Sequence, residues 1–259
     1  MFRAPLLVWS AALSAGLLAV LIAGVAGYWP LHGIDEAFDR LLAPMREGPL
    51  APVMLVTTAL GDGLFLTLAG VVTVIAFLFA GARYRASAYG MAFVAMPFVV
   101  QGIKWLTERA RPRAIAYSGT DVFSFPSGHV ANSALIYGAI AGLSLVTFKG
   151  VTGRLLAGAF ILLPLMIGAS RLYLGAHWLS DVLAGYALAG LFLVLLALAV
   201  KRHPEPPRFS RAVPIALFVI AAAFPAYLLI TLPDASELYR AIELHEPVGR
   251  TLPPSPSPD

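Results

Sequence analysis

KWLTERARP at residues 104–112, PSGH at 126–129 and SRLYLGAHWLSD at 170–181 are three polar islands in a chain that otherwise alternates long apolar runs with short linkers. Each island sits where an apolar run ends or begins. Lys104 closes one run, and Arg111-Pro112 follow in the loop after it. Ser127, Gly128 and His129 open the next run, Ser170-Arg171 end the one after, and His177 and Asp181 open another. The runs are about 20 residues long, the length a helix needs to cross a hydrocarbon core. In lipid a segment must satisfy its own backbone polar groups, so continuous apolar runs of this length predict helices rather than barrel strands. The expected fold class is all-α, a polytopic transmembrane helical bundle.

Outward from the islands, the runs cover 4–27, 50–81, 86–106, 129–147, 154–172, 178–200 and 212–232, the last with Pro214 and Pro225 as expected kinks. The chain has 259 residues, 59% hydrophobic and only 12% charged, where a soluble domain carries about a quarter charged. One bundle, residues 1–232, is expected to form one domain, with the motif region at 104–181 and a polar, Pro-rich tail from 233 to 259. From Pro247 onward that tail is expected to be disordered. The first run is longer than the apolar region of a secretory signal, so an uncleaved helix is expected. Residues 34–46 differ: Ile34, Phe38, Leu41, Leu42 and Met45 recur at helical spacing among charges. They predict a short amphipathic helix, lying on the membrane or packed on the bundle edge, with a lid near the site as the sharper alternative. Asp62, flanked by Gly61 and Gly63, interrupts the second run and reads as a helix cap, with a functional carboxylate as the alternative.

The net charge of +4 points weakly to an anionic partner. In a membrane protein it more often reflects cytoplasmic loop charge, and no nucleic acid partner is expected. With the amino terminus inside, Arg3, Arg83, Arg85, Lys149, Arg154, Lys201, Arg202, Arg208 and Arg211 fall in inner segments, with Glu205 their only acid. Outside the islands, the outer segments carry fewer basic residues. This assignment puts all three islands at the outer, periplasmic ends of helices in a cell inner membrane. The absence of cysteine excludes disulfides, thiolate catalysis and Cys-ligated metal.

The islands carry a consistent chemistry. His177 and Asp181, four apart at a helix start, share one face, so the carboxylate can fix the ring tautomer and leave the other nitrogen as nucleophile or base. Arg171 offers a planar fork matched to phosphate. Ser127 is placed to cap a helix whose free amides attract anions, and Gly128 allows close backbone approach. His129 stands where it can donate a proton. Lys104 and Arg111 add cations. An anion pocket with one orientable histidine and a second as acid is what phosphoryl transfer requires. Carboxylates are too few for a two-metal site, and the cations oppose zinc at the two histidines, so no metal and no cofactor are expected. Each residue also has a plainer reading: snorkelling for the cations, capping for Ser127, and a helix-start bond for His177 with Asp181.

Together the islands resemble the signature of the type 2 phosphatidic acid phosphatase superfamily, K-x6-R-P, P-S-G-H and S-R-x5-H-x3-D. All three match without departure over less than a third of the chain. That superfamily includes lipid phosphate phosphatases and vanadium haloperoxidases. The resemblance implies a six-helix phosphatase core with a seventh helix added, and a metal-independent site. His177 would become phosphohistidine, Asp181 would orient it, and His129 would protonate the leaving alkoxide. Lys104, Arg111, Ser127, Gly128 and Arg171 would bind the phosphoryl oxygens. The implied partners are a lipid phosphate substrate and the surrounding membrane lipids. The substrate candidates are undecaprenyl pyrophosphate, phosphatidylglycerophosphate, phosphatidic acid and lipid A phosphate. A non-catalytic protein that binds or transports lipid phosphates, and vanadate-dependent halide oxidation, are the alternatives.

Overall fold

The computed structural model describes residues 4–28, 31–46, 48–113, 122–201, 203 and 208–245, with residues 4 and 28 and the stretch 234–245 described by backbone alone. The helices are α1 Ala4–Ala23, α2 Leu31–Leu42, α3 Ala51–Ala59, α4 Gly63–Phe79, α5 Arg83–Thr107, α6 Gly128–Thr147, α7 Gly150–Tyr173, α8 Leu179–Val200 and α9 Phe209–His245. Among the described residues there is no strand, only one isolated bridge between Ala110 and Phe123. Among the described residues, seven helical segments, with α3 and α4 taken as one, are long and apolar enough to cross a membrane. The chain is a multi-pass membrane protein, as the apolar runs predict. Trp9, Phe79, Phe98, Leu106 and Phe218 stand exposed, as side chains facing lipid do.

The core is built on α6, which is buried through most of its length. Small residues allow its neighbours to approach, as is usual where helices associate in lipid. The same device joins α7 to α8. A Cβ at Gly168 would lie 2.1 Å from the Tyr186 Oη, and that hydroxyl donates to the Pro164 carbonyl at 2.8 Å. Antiparallel neighbours then bring the end of α5, the start of α6, the end of α7 and the start of α8 to one end of the bundle. Arg83, Arg85, Lys149, Lys201 and Arg208 lie at the other end.

The second apolar run is broken where Gly61-Asp62-Gly63 stands. Asp62 adopts extended backbone and caps α4 by accepting from Leu64 N at 2.8 Å. It also accepts from the Tyr227 hydroxyl of α9 at 2.5 Å. The capping reading of Asp62 therefore holds, and the carboxylate is stabilised from a second helix. The backbone of α9 passes through Pro214, Pro225 and Pro233 without losing its helical assignment. It continues to His245, where a polar tail was expected from 233, because 235–245 is rich in helix formers. The tail from Pro247, together with Arg3, Arg202 and Glu205, lies outside the described residues.

The amphipathic helix expected over 34–46 is α2, but its orientation is not that of a simple surface helix. Ile34 and Leu41 are exposed, whereas the Asp35 side chain is buried at 2% exposure. The reason is electrostatic and is found in the site below. Substitution of Asp62 by Ala should lower stability by about 1 kcal/mol through loss of the cap. A smaller drop is expected for Tyr227→Phe, both read as thermal midpoints in detergent.

Candidate active site

His177 sits in the short turn between α7 and α8, at 3% exposure. Its position is set by Gly175, whose φ of +65° turns the chain sharply after α7. Two partners fix its ring. Arg111 Nη1 lies 3.0 Å from Nε2, and Asp181 Oδ2 lies 3.3 Å from Nδ1. A guanidinium only donates, so Nε2 must accept, and the ring proton stands on Nδ1 facing the carboxylate. The expected His-Asp pair is therefore present with its tautomer defined. The 3.3 Å contact is long for a charge-assisted bond, and such contacts commonly tighten when substrate binds.

The other cations surround this ring. Arg111, at 7% exposure, also donates to the Ala176 carbonyl at 2.7 Å. Arg171, in the last turn of α7, is buried and donates to Thr58 Oγ1 at 3.0 Å. Lys104 is buried in the last turn of α5. Burial holds His177 well below the ordinary imidazole range, and the charges of Arg111, Arg171, His129 and Lys104 push the same way. These groups therefore act on one another across a single site. His129 stands at the first turn of α6, half-buried, with its ring beside Gly61 at the break between α3 and α4.

Ser127 occupies the N-cap of α6, but its side chain makes no capping bond. Its Oγ is fully buried with no hydrogen-bond partner. Its backbone N donates instead to the Asp181 carbonyl at 3.0 Å, joining the second island to the third. A buried hydroxyl without a partner costs free energy, and here it lies at the mouth of the first-turn amides of α6, from Gly128 onward. That is an arrangement able to take an anion.

Four further residues enter that the sequence reading gave no role. Arg109 Nη1 donates to Asp181 Oδ1 at 2.7 Å and to Ser180 Oγ at 2.6 Å, and its Nη2 donates to Asp35 Oδ2 at 2.5 Å. Asp35 therefore turns inward from α2 because a buried cation awaits it. Thr58 holds Arg171. In the sequence Arg109 had only a place among the island cations, and nothing local marks Asp35 or Thr58, whose partners are distant in the chain. Alongside, Phe38, Leu42, Leu172 and Leu179 line a small crevice next to His177.

The chain is similar to known proteins. Residues 85–205 match the PAP2 superfamily. The chain is 29% identical over 177 residues to a phosphatidylglycerophosphatase B of Bacillus subtilis (strain 168), covering 64% of this chain and 82% of that protein. It is 36% identical over 87 residues to a lipid A 1-phosphatase of Rhizobium etli, covering 33% of this chain and 34% of that protein. In fold it resembles the crystal structure of a transmembrane PAP2 type phosphatidylglycerolphosphate phosphatase from Bacillus subtilis. The TM-score is 0.67 with 24% identity, over 76% of this chain and 98% of that one.

The low proton affinity of His177 has a sign that can be tested. Its folded state binds a proton less readily than its unfolded state, so its contribution to stability is full above about pH 6.5 and is lost as pH falls below that. Thermal midpoints between pH 7 and pH 5 should fall, and His177→Gln should flatten that dependence.

Proposed function

We propose, from the premise that the chain belongs to the PAP2 superfamily and is a phosphatase, that it hydrolyses a lipid phosphate through a phosphohistidine intermediate at the periplasmic face of a cell inner membrane. The observation that carries this reading is the His177 ring, held between Asp181 on Nδ1 and Arg111 on Nε2 and surrounded by buried cations. A neutral imidazole with its proton on Nδ1 has its lone pair on Nε2, the nitrogen that would attack phosphorus.

The steps follow from charge. The phosphate of a lipid enters among Lys104, Arg111 and Arg171, with the Ser127 hydroxyl and the amides from Gly128 as further donors. Arg111 must leave Nε2 to bind a phosphoryl oxygen, and that movement uncovers the nucleophile as substrate arrives. Nε2 forms a bond to phosphorus while the bond to the leaving oxygen breaks, and His129 gives that oxygen its proton. Asp181 stabilises the positive charge that develops on the His177 ring. Water, deprotonated by His129, then attacks the phosphohistidine, releasing inorganic phosphate and restoring His177. No step requires a metal, because the cations supply the charge that a metal would bring.

The site lies where helices end, so a lipid can present its headgroup from the side while its tails remain in the bilayer. Phosphatidylglycerophosphate is the first substrate to test, since the relative aligned over 64% of the chain is a phosphatidylglycerophosphatase B. Phosphatidic acid, undecaprenyl pyrophosphate and lipid A phosphate follow.

Phosphate release by the purified protein should survive a chelator. His177→Ala should reduce it at least about 10³-fold on every lipid that wild type cleaves. A folded His177→Ala protein with wild-type turnover would exclude the mechanism. Because the chain has no cysteine, Glu108→Cys and Arg83→Cys report orientation through a membrane-impermeant maleimide. Labelling of intact cells at 108 but not 83 is expected, and the reverse would place the site on the cytoplasmic face.

A further inference from the structure

We infer that Arg109 and Asp35 are positioning residues for the His177–Asp181 pair, so that α2 is a working part of the site rather than a cover on it. This rests on the phosphatase reading above and goes beyond its signature residues.

Arg109 differs in kind from the neighbouring cation Arg111. Both ends of its guanidinium are taken by protein: Nη2 by Asp35, and Nη1 by Asp181 and Ser180 Oγ. Its Cζ also lies 5.6 Å from the centre of the Trp178 ring. Such a group is not available to a phosphate. It acts on Asp181. Oδ1 takes Arg109 at 2.7 Å, and Oδ2 takes Trp178 N at 2.9 Å and His177 Nδ1 at 3.3 Å, with the Ser124 hydroxyl as a further donor to the carboxylate. The plane of the carboxylate, and with it the ring it faces, is set by the arginine.

Asp35 completes the arrangement from another helix. The first-turn amides of a helix have no partner within it. The N-cap of α8 is Trp178, whose indole offers no oxygen to take them. Asp35 Oδ1 accepts from Ser180 N at 2.9 Å, and its Oδ2 accepts from Ser180 Oγ at 2.6 Å. A carboxylate of α2 thus caps the helix that carries Asp181 and holds the arginine that orients it. The chain just after α2, a 3-10 turn at Ala43–Met45 and Arg46, is tied to the end of α7. Arg46 Nε donates to the Tyr173 carbonyl at 2.8 Å, and the Tyr173 hydroxyl donates to the Met45 carbonyl. The loop bearing His177 is therefore held at one end by α2 and at the other by the turn that follows it.

Supporting partners of this kind change activity by about 10–100-fold when lost. Arg109→Lys keeps the charge but loses the fork, and Asp35→Asn keeps the shape but loses the charge. Each is measured in the full-length protein, with phosphatidylglycerophosphate and dioctanoyl phosphatidic acid as substrates. Both should lower kcat by that factor while KM stays within about twofold. Long-range 1H–15N correlation of the His177 ring, assigned by its loss in His177→Ala, should show the Nδ1–H tautomer in wild type and a mixture in both variants. Folded variants with wild-type kcat and an unchanged tautomer would overturn the inference. So would a loss confined to KM, which would make Arg109 a substrate ligand. If wild type released phosphate from neither lipid, the phosphatase reading would fail for them, and the tautomer would still decide the positioning role.

Discussion

Asp181 is a carboxylate with no exposure to solvent, and the three polar islands meet on it. Its backbone carbonyl takes the Ser127 amide of the second island, and its side chain takes His177 and the Trp178 amide of the third. Arg109 of the first island supplies the opposing charge. A charge placed so deep is tolerated only when paired, and removing one partner of a buried pair costs about 3–5 kcal/mol. That constraint spreads. Asp181 requires Arg109, and Arg109, itself largely buried, is paired a second time by Asp35. The inward turn of α2 is the last consequence of a single buried carboxylate at the start of α8.

The cations at this end of the bundle divide into two sets. Arg109 is neutralised by carboxylates and is structural in its contacts. The charges of Arg111, Arg171 and Lys104 act on the His177 ring. The two sets lie only two residues apart in the chain, at Arg109 and Arg111, because the loop after α5 passes between α8 and the His177 turn. Cationic side chains acting on one ring, a fully buried hydroxyl at Ser127 and first-turn amides of α6 suit a tetrahedral anion. They disfavour a divalent cation by simple repulsion.

The bundle solves a different problem in the rest of its length. Its outer face is apolar because lipid offers no hydrogen bonds, and its interior relies on small side chains for close helix contact. Two polar side chains within the spans are paired across helices: Asp62 accepts from Tyr227 as well as from Leu64 N, and the Tyr137 hydroxyl donates to the Leu60 carbonyl at 2.7 Å. These pairings fix the break between α3 and α4, and that break brings Gly61 against the His129 ring. The geometry of the second histidine thus depends on a helix interruption well before it in the chain.

Much of this was legible in the residues. Apolar run length fixes helices in lipid, because backbone groups there have no other partner, and the bounds of α6 and α8 agree with the runs read at 129–147 and 178–200. The four-residue spacing of His177 and Asp181 keeps the pair close, although His177 lies in the turn ahead of α8 and not on a shared helical face as expected. The cap at Asp62 was legible because helix geometry is local. The inward turn of Asp35, the double pairing of Arg109, the idle side chain of Ser127 at its own cap and the hold of Thr58 on Arg171 were not. Each depends on which helices become neighbours, and charge pairing across helices leaves no period in the sequence. The chain by itself determined the helices and the chemistry at their ends. Packing alone decided that Arg109 faces carboxylates while Arg111 faces the His177 ring, because that choice is made by distance in space.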